Sequence, residues 1–377
     1  MTSPNDPAKP HPLSASKPDL RFGSNAIRLT FREWIFVAIV CLAAFLFAPR
    51  LWERVERFEP DADYRVPYEL SQDYWLYRRA SRVAGAQEKI LVVGDSVVWG
   101  QYVTKDQTLT HYLNEQAGEP GFANLGFDGG HPVALAGLLE HYGQDIASQR
   151  VLLHCNLLWT ASKKHDLQTD RSFAFNHPDL APQFSPRIPC YAEPYTRRVG
   201  IAIERGVPFF AWASHIRIAS FEQRDLPAWT IEHPYADPVA AIRKGLAPRE
   251  DRLLHEPVSW TERGIQKQAF EWVGLGTSLQ WRFFREAVAT LQRRGNRVFV
   301  LVGPFNEHML KEENRLVFAD RKRQVEAWLR ENSVPHLVPP PLPSELYADA
   351  SHPLAEGYAR LAKWLLDEPA FARFNAK

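Results

Sequence analysis

Four short motifs hold residue types that can do acyl-transfer chemistry together. The first is Gly94-Asp95-Ser96, directly after the apolar run Lys89-Ile90-Leu91-Val92-Val93. A serine at a strand-to-helix turn is presented as a nucleophile, with backbone N–H groups beside it. The second motif is Asn124-Leu125-Gly126 and the third is Asn156, each closing a further apolar run. The Ser96 N–H, the Gly126 N–H and the Asn156 side-chain amide can converge on one developing oxyanion. The fourth is Asp349-Ala350-Ser351-His352, ahead of a helix that opens with Pro353. Asp and His three apart at a helix entry can meet, the carboxylate fixing the imidazole tautomer while the other ring nitrogen faces a hydroxyl. The expected catalytic set is Ser96, His352 and Asp349, with an oxyanion hole of Ser96, Gly126 and Asn156.

These groups meet only if the chain brings them to one edge of a sheet. The run 89–93 is continuous and β-branched, as in a strand buried on both faces. Residues 108–116 read as helix, 121–125 as strand, 132–146 as helix and 150–154 as strand. Strands recurring about every thirty residues fit βαβ units. From Leu157 to about Gly276 the pattern gives way to Pro- and aromatic-rich sequence. It resumes with helix 278–294, strand 297–302, helix 316–331, a short strand near 336–338 and helix 353–366. The expected fold class is α/β: a three-layer parallel sheet with one long insertion, preceded by a single N-terminal transmembrane helix. In such a sheet the functional crevice lies at the carboxyl ends of the strands, where all three of the earlier motifs fall.

The run Val92-Val93-Gly94-Asp95-Ser96-Val97-Val98-Trp99-Gly100, the Asn-Leu-Gly, the later Asn156, and Asp-x-x-His before Pro-Leu-Ala-Glu-Gly-Tyr resemble the SGNH/GDSL hydrolase superfamily. The resemblance covers about 89–156 and 297–366. It implies a flavodoxin-like sheet, Ser96 as nucleophile, Gly126 and Asn156 completing the oxyanion hole, and Asp349 and His352 completing the triad. One block departs. The family's third motif usually reads G-x-N-D, whereas this chain has His154-Cys155-Asn156-Leu157, so the substrate is not given by kinship.

The amino terminus carries a different signal. Residues 1–30 are rich in Pro, Ser, Lys and Asn and read as a disordered cytoplasmic tail. Fifteen uncharged apolar residues follow, from Trp34 to Ala48, and a span of 31–52 suits a membrane anchor with Trp34 and Trp52 at the interfaces. An anchor fits better than a buried core helix or a cleaved signal peptide, since the preceding segment is long and no A-x-A site follows. Basic residues before the span favour the tail inside, leaving the rest on the periplasmic side of a cell inner membrane. Residues 53–88 then form a linker with a helix over 71–84. The body is 89–156 plus 277–377, and 157–276 is the insertion, a lid or a substrate or partner region.

Composition narrows the partners. Lys and Arg number 45 against 44 Asp and Glu, a net charge of +1, which argues against a nucleic-acid binder. Three cysteines and no CxxC exclude a disulfide scaffold; Cys155 and Cys190 can pair outside the cytoplasm, but Cys155, at a buried strand end, reads better as a free thiol. No HExxH spacing occurs, so neither a metal nor another cofactor is expected. Trp99 and Trp159, each three residues beyond a site residue, either line the crevice mouth or pack at the sheet end. Trp212, Trp229, Trp260 and Trp272 fit either a lid or a small core of the insertion. The reading is a serine esterase or O-acyltransferase acting on an extracytoplasmic ester. An acetylated glycan is the substrate that resemblance to membrane-anchored relatives implies. The alternative is a catalytically silent scaffold component of an envelope assembly, with other envelope proteins as partners.

Overall fold

Strands apolar on both sides form the middle of this protein. In the computed structural model, which describes residues 29–245 and 253–376, five parallel strands make one sheet. In chain order they are β1 (Ile90–Gly94), β2 (Phe122–Gly126), β3 (Arg150–Cys155), β4 (Arg297–Val302) and β5 (His336–Leu337), arranged 2-1-3-4-5. Gly94 pairs with Gly126, Val93 with Leu153, and Cys155 with Val302. The order reverses at β1, so a crevice opens beyond the ends of β1 and β3.

Alternation along the strands supplies two cores. Leu91, Val93, Leu153 and Val300 join one cluster with α2 (Tyr74–Ala86), α5 (Pro132–His141), α10 (Leu279–Arg293) and α11 (Glu312–Glu331). Ile90, Val92, Leu152 and Phe299 join the other with α4 (Leu109–Ala117), α12 (Ala355–Asp367) and α13 (Pro369–Asn375). The sheet is thus covered on both faces, which explains why its strands are unbroken apolar runs. Helix α11 begins four residues before the apolar periodicity shows, because Glu312 and Glu313 suit a first turn whatever their polarity. Helix α5 stops at His141 rather than 146, since Gly143 and the tight turn after it end the helix. Helix α13 has too short a period to be seen in sequence.

The N-terminal unit, Met1–Ala48, contains most of α1 (Phe31–Val55), a helix long and apolar enough to cross a membrane. Its 25 residues would span about 37 Å. Trp34, Phe36, Ile39, Leu42, Leu46 and Phe47 are all exposed. The tail assigned to 1–30 falls almost wholly outside the described residues. Pro49 lies inside the helix, which runs on to Val55. The last turns are held from outside, where Glu53 pairs with Arg82 at 2.9 Å and Glu56 with Arg79.

The insertion is not a separate body, because Pro49–Lys377 forms one unit. It contains α6 (Tyr195–Gly206), α7 (Pro208–Ser220), α8 (Leu226–Glu232) and α9 (Pro238–Ala241). Its Leu167, Leu180, Ile188 and Leu275 sit in the core shared by β1 and α5. Trp260 packs into the opposite core and Trp272 lies against Phe305 and Phe318. Trp212 contacts Phe209, and Trp229 contacts Phe221 and His233. All four tryptophans therefore pack within the fold. The three cysteines are free thiols, with Cys155 and Cys190 buried.

Candidate active site

The turn that carries Ser96 is built by a short helix, α3 (Ser96–Trp99), that starts where β1 stops. Asp95 is its N-cap and accepts from the Val97 N–H at 3.0 Å, which sets Ser96 as the first helical residue. Two outside groups fix the helix. Tyr358, the tyrosine of the Gly-Tyr motif, donates to the Val97 carbonyl at 2.6 Å. Arg65 donates to the carbonyls of Trp99, Gly100 and Val103 at 2.9, 2.7 and 3.0 Å. Its guanidinium also lies 4.0 Å over the Trp99 ring.

Ser96, His352 and Asp349 meet. Ser96 Oγ lies 2.9 Å from His352 Nε2, and His352 Nδ1 lies 2.8 Å from both Asp349 carboxylate oxygens. The Ser351 and His352 backbone N–H groups donate to Asp349 Oδ1 at 2.9 and 3.0 Å, anchoring the carboxylate. Burial pushes Asp349 up, but the imidazole and these donors hold it well below the usual carboxylate range. Burial lowers His352, yet Asp349, and behind it Asp95 and Asp128, lift the imidazole above its ordinary value. A base oriented by an acid and touching a hydroxyl is the arrangement that nucleophilic serine chemistry requires.

The oxyanion side differs from the expectation at one point. The Gly126 N–H donates to Asn124 Oδ1 at 3.0 Å and is committed inside the fold. Gly126 is needed for space instead: a Cβ there would stand 2.3 Å from the Trp99 nitrogen, so only glycine lets β2 touch α3. Asn156 sits as foreseen beyond β3. Its amide donates to Asp95 Oδ2 at 2.8 Å and its oxygen caps the Leu158 N–H at 3.0 Å, leaving one N–H of the amide unassigned. That N–H and the Ser96 N–H, at the unsatisfied start of α3, are the donors on the serine side.

Asp95 organises this edge. It accepts from Asn156, from Trp159 Nε1 at 3.0 Å and from His154 Nδ1 at 3.1 Å as well as from Val97. Burial would raise it, but the His154 ring and these bonds hold it far below the normal range. The unusual His154 thus works as a second-layer partner of Asn156. Trp159 is half-buried and borders the site through the same carboxylate. Trp99 does not line the mouth: it is 2% exposed, donates to the Val66 carbonyl at 2.7 Å and packs beneath Arg65. A tryptophan three residues into a helix turns back under it, which the spacing from Ser96 does not reveal.

Several neighbours carried no motif. The Tyr102 ring stands 5.5 Å from the His352 ring and 5.1 Å from that of His255. Arg263 donates to the Tyr102 hydroxyl at 2.7 Å. Asp128 lies two residues beyond Gly126, as Ser96 lies two beyond Gly94, and that register was the one signal available for it. Among the described residues no group of three or more His, Cys, Asp or Glu is arranged to hold a metal ion. No family model matches this chain, and no curated protein does either.

Proposed function

We propose that the protein is a membrane-anchored serine esterase or O-acyltransferase of the SGNH/GDSL type. The observation that carries this is the Ser96–His352–Asp349 relay, with both hydrogen bonds of the imidazole in place. His352 Nε2 takes the Ser96 proton as Oγ attacks the ester carbonyl. The Ser96 N–H and the remaining Asn156 N–H stabilise the tetrahedral oxyanion. The imidazolium, steadied by Asp349, returns the proton to the departing alkoxide, leaving an acyl-serine and a free alcohol. Water or a second hydroxyl then repeats the sequence in reverse, which yields either hydrolysis or transfer.

In this reading α1 holds the protein in a cell inner membrane with the body on the periplasmic side, and the ester is extracytoplasmic, an acetylated glycan fitting best. A fluorophosphonate probe tests the mechanism without knowledge of the substrate. Covalent labelling of wild type and none of Ser96→Ala is expected. A folded wild type that resists labelling removes the enzyme reading and leaves a silent scaffold component.

A further inference from the structure

The insertion enters the site through a turn over residues 259–265, closed by the Arg263 N–H to the Ser259 carbonyl at 3.1 Å and the Ile265 N–H to the Trp260 carbonyl at 3.0 Å. Buried Trp260 fastens this turn to the loop that carries the acid and the base. Its backbone N–H donates to the Tyr347 carbonyl at 2.8 Å and its indole N–H to the Ser344 carbonyl at 3.0 Å. Arg263 reaches further. Its Nη1 donates to the Ala348 carbonyl at 3.2 Å, next to Asp349, and to the Tyr102 hydroxyl at 2.7 Å, in the loop that follows α3. The guanidinium also lies 5.1 Å over the Tyr102 ring. One side chain of the insertion thus bonds both segments that the relay must bring together.

Such a tie answers a mechanical need. The 2.9 Å contact between Ser96 Oγ and His352 Nε2 must open and re-form in each turnover, so it cannot also set the distance between the two segments. On the buried side Tyr358 sets it, through its bond from α12 to the Val97 carbonyl. On the outer side the Tyr102 ring stands 5.5 Å from the His352 ring. Each segment is closed on itself: the Gln101 N–H donates to the Ser96 carbonyl at 3.2 Å, and the Ala348 N–H to the His352 carbonyl at 2.9 Å. Arg263 joins these two closed loops and is itself exposed, so its loss opens the tie while leaving the core intact.

We propose that Arg263 is a positioning residue, through which the insertion holds the Tyr102 segment against the Asp349–His352 loop and keeps Ser96 within reach of its base. This rests on Ser96 being the acylated nucleophile. It gives the insertion a part in assembling the relay, which a lid that only covers substrate does not have.

The test reads the second-order rate of fluorophosphonate labelling, hydrogen exchange of the 344–352 amides and the thermal midpoint, using the full chain in detergent. In Arg263→Ala labelling should slow by about 10- to 100-fold, the cost of a misplacement of about 1 Å. The midpoint should stay within about 5 °C of wild type, as for an exposed substitution; a larger drop marks Arg263 as merely structural and overturns the proposal. Arg263→Lys, which keeps a cationic donor, should recover part of the rate. Tyr102→Phe keeps the ring beside His352 and cuts the tie at its other end. It should slow labelling too, and the double variant should be no slower than Arg263→Ala. Additive losses, or an Arg263→Ala rate within about threefold of wild type, overturn the proposal. Exchange of the loop amides should quicken by about tenfold in Arg263→Ala, the weight of one charge-assisted hydrogen bond, and unchanged exchange overturns it as well. Exchange also separates the two levels: an unlabelled wild type sinks the nucleophile, and exchange alone then decides whether Arg263 holds the loop.

Discussion

Asp349→Asn should cripple the protein through a tautomer, not through a lost contact. Two backbone N–H groups, from Ser351 and His352, donate to Asp349 Oδ1 at 2.9 and 3.0 Å. In the variant they will keep the amide oxygen at that position, so the NH2 group must occupy the place of Oδ2, 2.8 Å from His352 Nδ1. An amide nitrogen only donates. Because the amide oxygen still lies 2.8 Å from Nδ1, the productive tautomer now competes with one that accepts from the NH2 group at Nδ1 and carries its proton on Nε2, facing Ser96 Oγ, where a base is needed. The expected loss is about 10⁴-fold, or about 5.5 kcal/mol of barrier. A second signature follows from charge. In wild type His352 titrates above its ordinary value because Asp349 is its main support. Since only neutral imidazole acts as base, activity should fall as pH drops through that raised value. Removing the support moves this acid limb to lower pH. The measurement is the second-order rate of fluorophosphonate labelling from about pH 5 to about pH 9, with circular dichroism to confirm folding. A variant within tenfold of wild type and with an unmoved acid limb refutes the relay.

Ser96→Ala, His352→Ala and the double variant should be nearly equally inactive, because residues acting as a unit do not add; clearly additive losses in ester turnover would separate them. Asn156→Ala should fold but lose about 10²–10³ in turnover, the usual loss for one oxyanion donor, and a wild-type rate would remove it from the site. Arg65→Ala strips three carbonyls of a charged donor and should cost about 3 kcal/mol or more, seen as a lowered thermal midpoint; an unchanged midpoint would show that Arg65 does not hold α3. His215, between Glu56 and Asp73 at 2.8 and 2.7 Å, is raised to about 9 despite burial, chiefly by Asp73. Its contribution to stability is full below about pH 6.5 and is lost as pH rises toward 9. His215→Gln should flatten that decline in chemical denaturation. The anchor predicts that high salt will not release the protein and that a periplasm-only reporter fused after Lys377 will be active; activity of only a cytoplasmic reporter sinks the orientation.

Much of this arrangement is legible in the chain because parallel strands write themselves as solid apolar runs. Once 90–94, 122–126, 150–155 and 297–302 are strands, Ser96, Asn156 and the crevice between them follow from topology. The Asp349–His352 pair is equally visible, since spacing three at a helix entry is a local matter. What stayed hidden depends on three-dimensional proximity. Gly126 looked like a donor, but its N–H is captured by a side chain two residues away and its missing Cβ matters more. Trp99 looked like lining, but Arg65, 34 residues earlier, covers it. The insertion carries no strand period to read, because it adds no strand to the sheet and its apolar residues are split between the body's core and contacts within the insertion. Arg263 and Tyr102, 161 residues apart, belong to no motif that a reader of the chain could frame.

The separation of Ser96 from its base, 256 residues along the chain, has a bearing on how the protein is made. While the polypeptide is being synthesised, the first three strands can pair before His352, the base that faces Ser96 Oγ, exists in the chain. The hydroxyl is then an ordinary alcohol, unreactive toward the esters of the surrounding lipid. In the proposed mechanism, reactivity switches on only when the segment around His352 has docked against Ser96 and Tyr102. In that mechanism this order postpones the hazard of an active nucleophile until the last helices, α12 and α13, have covered their face of the sheet.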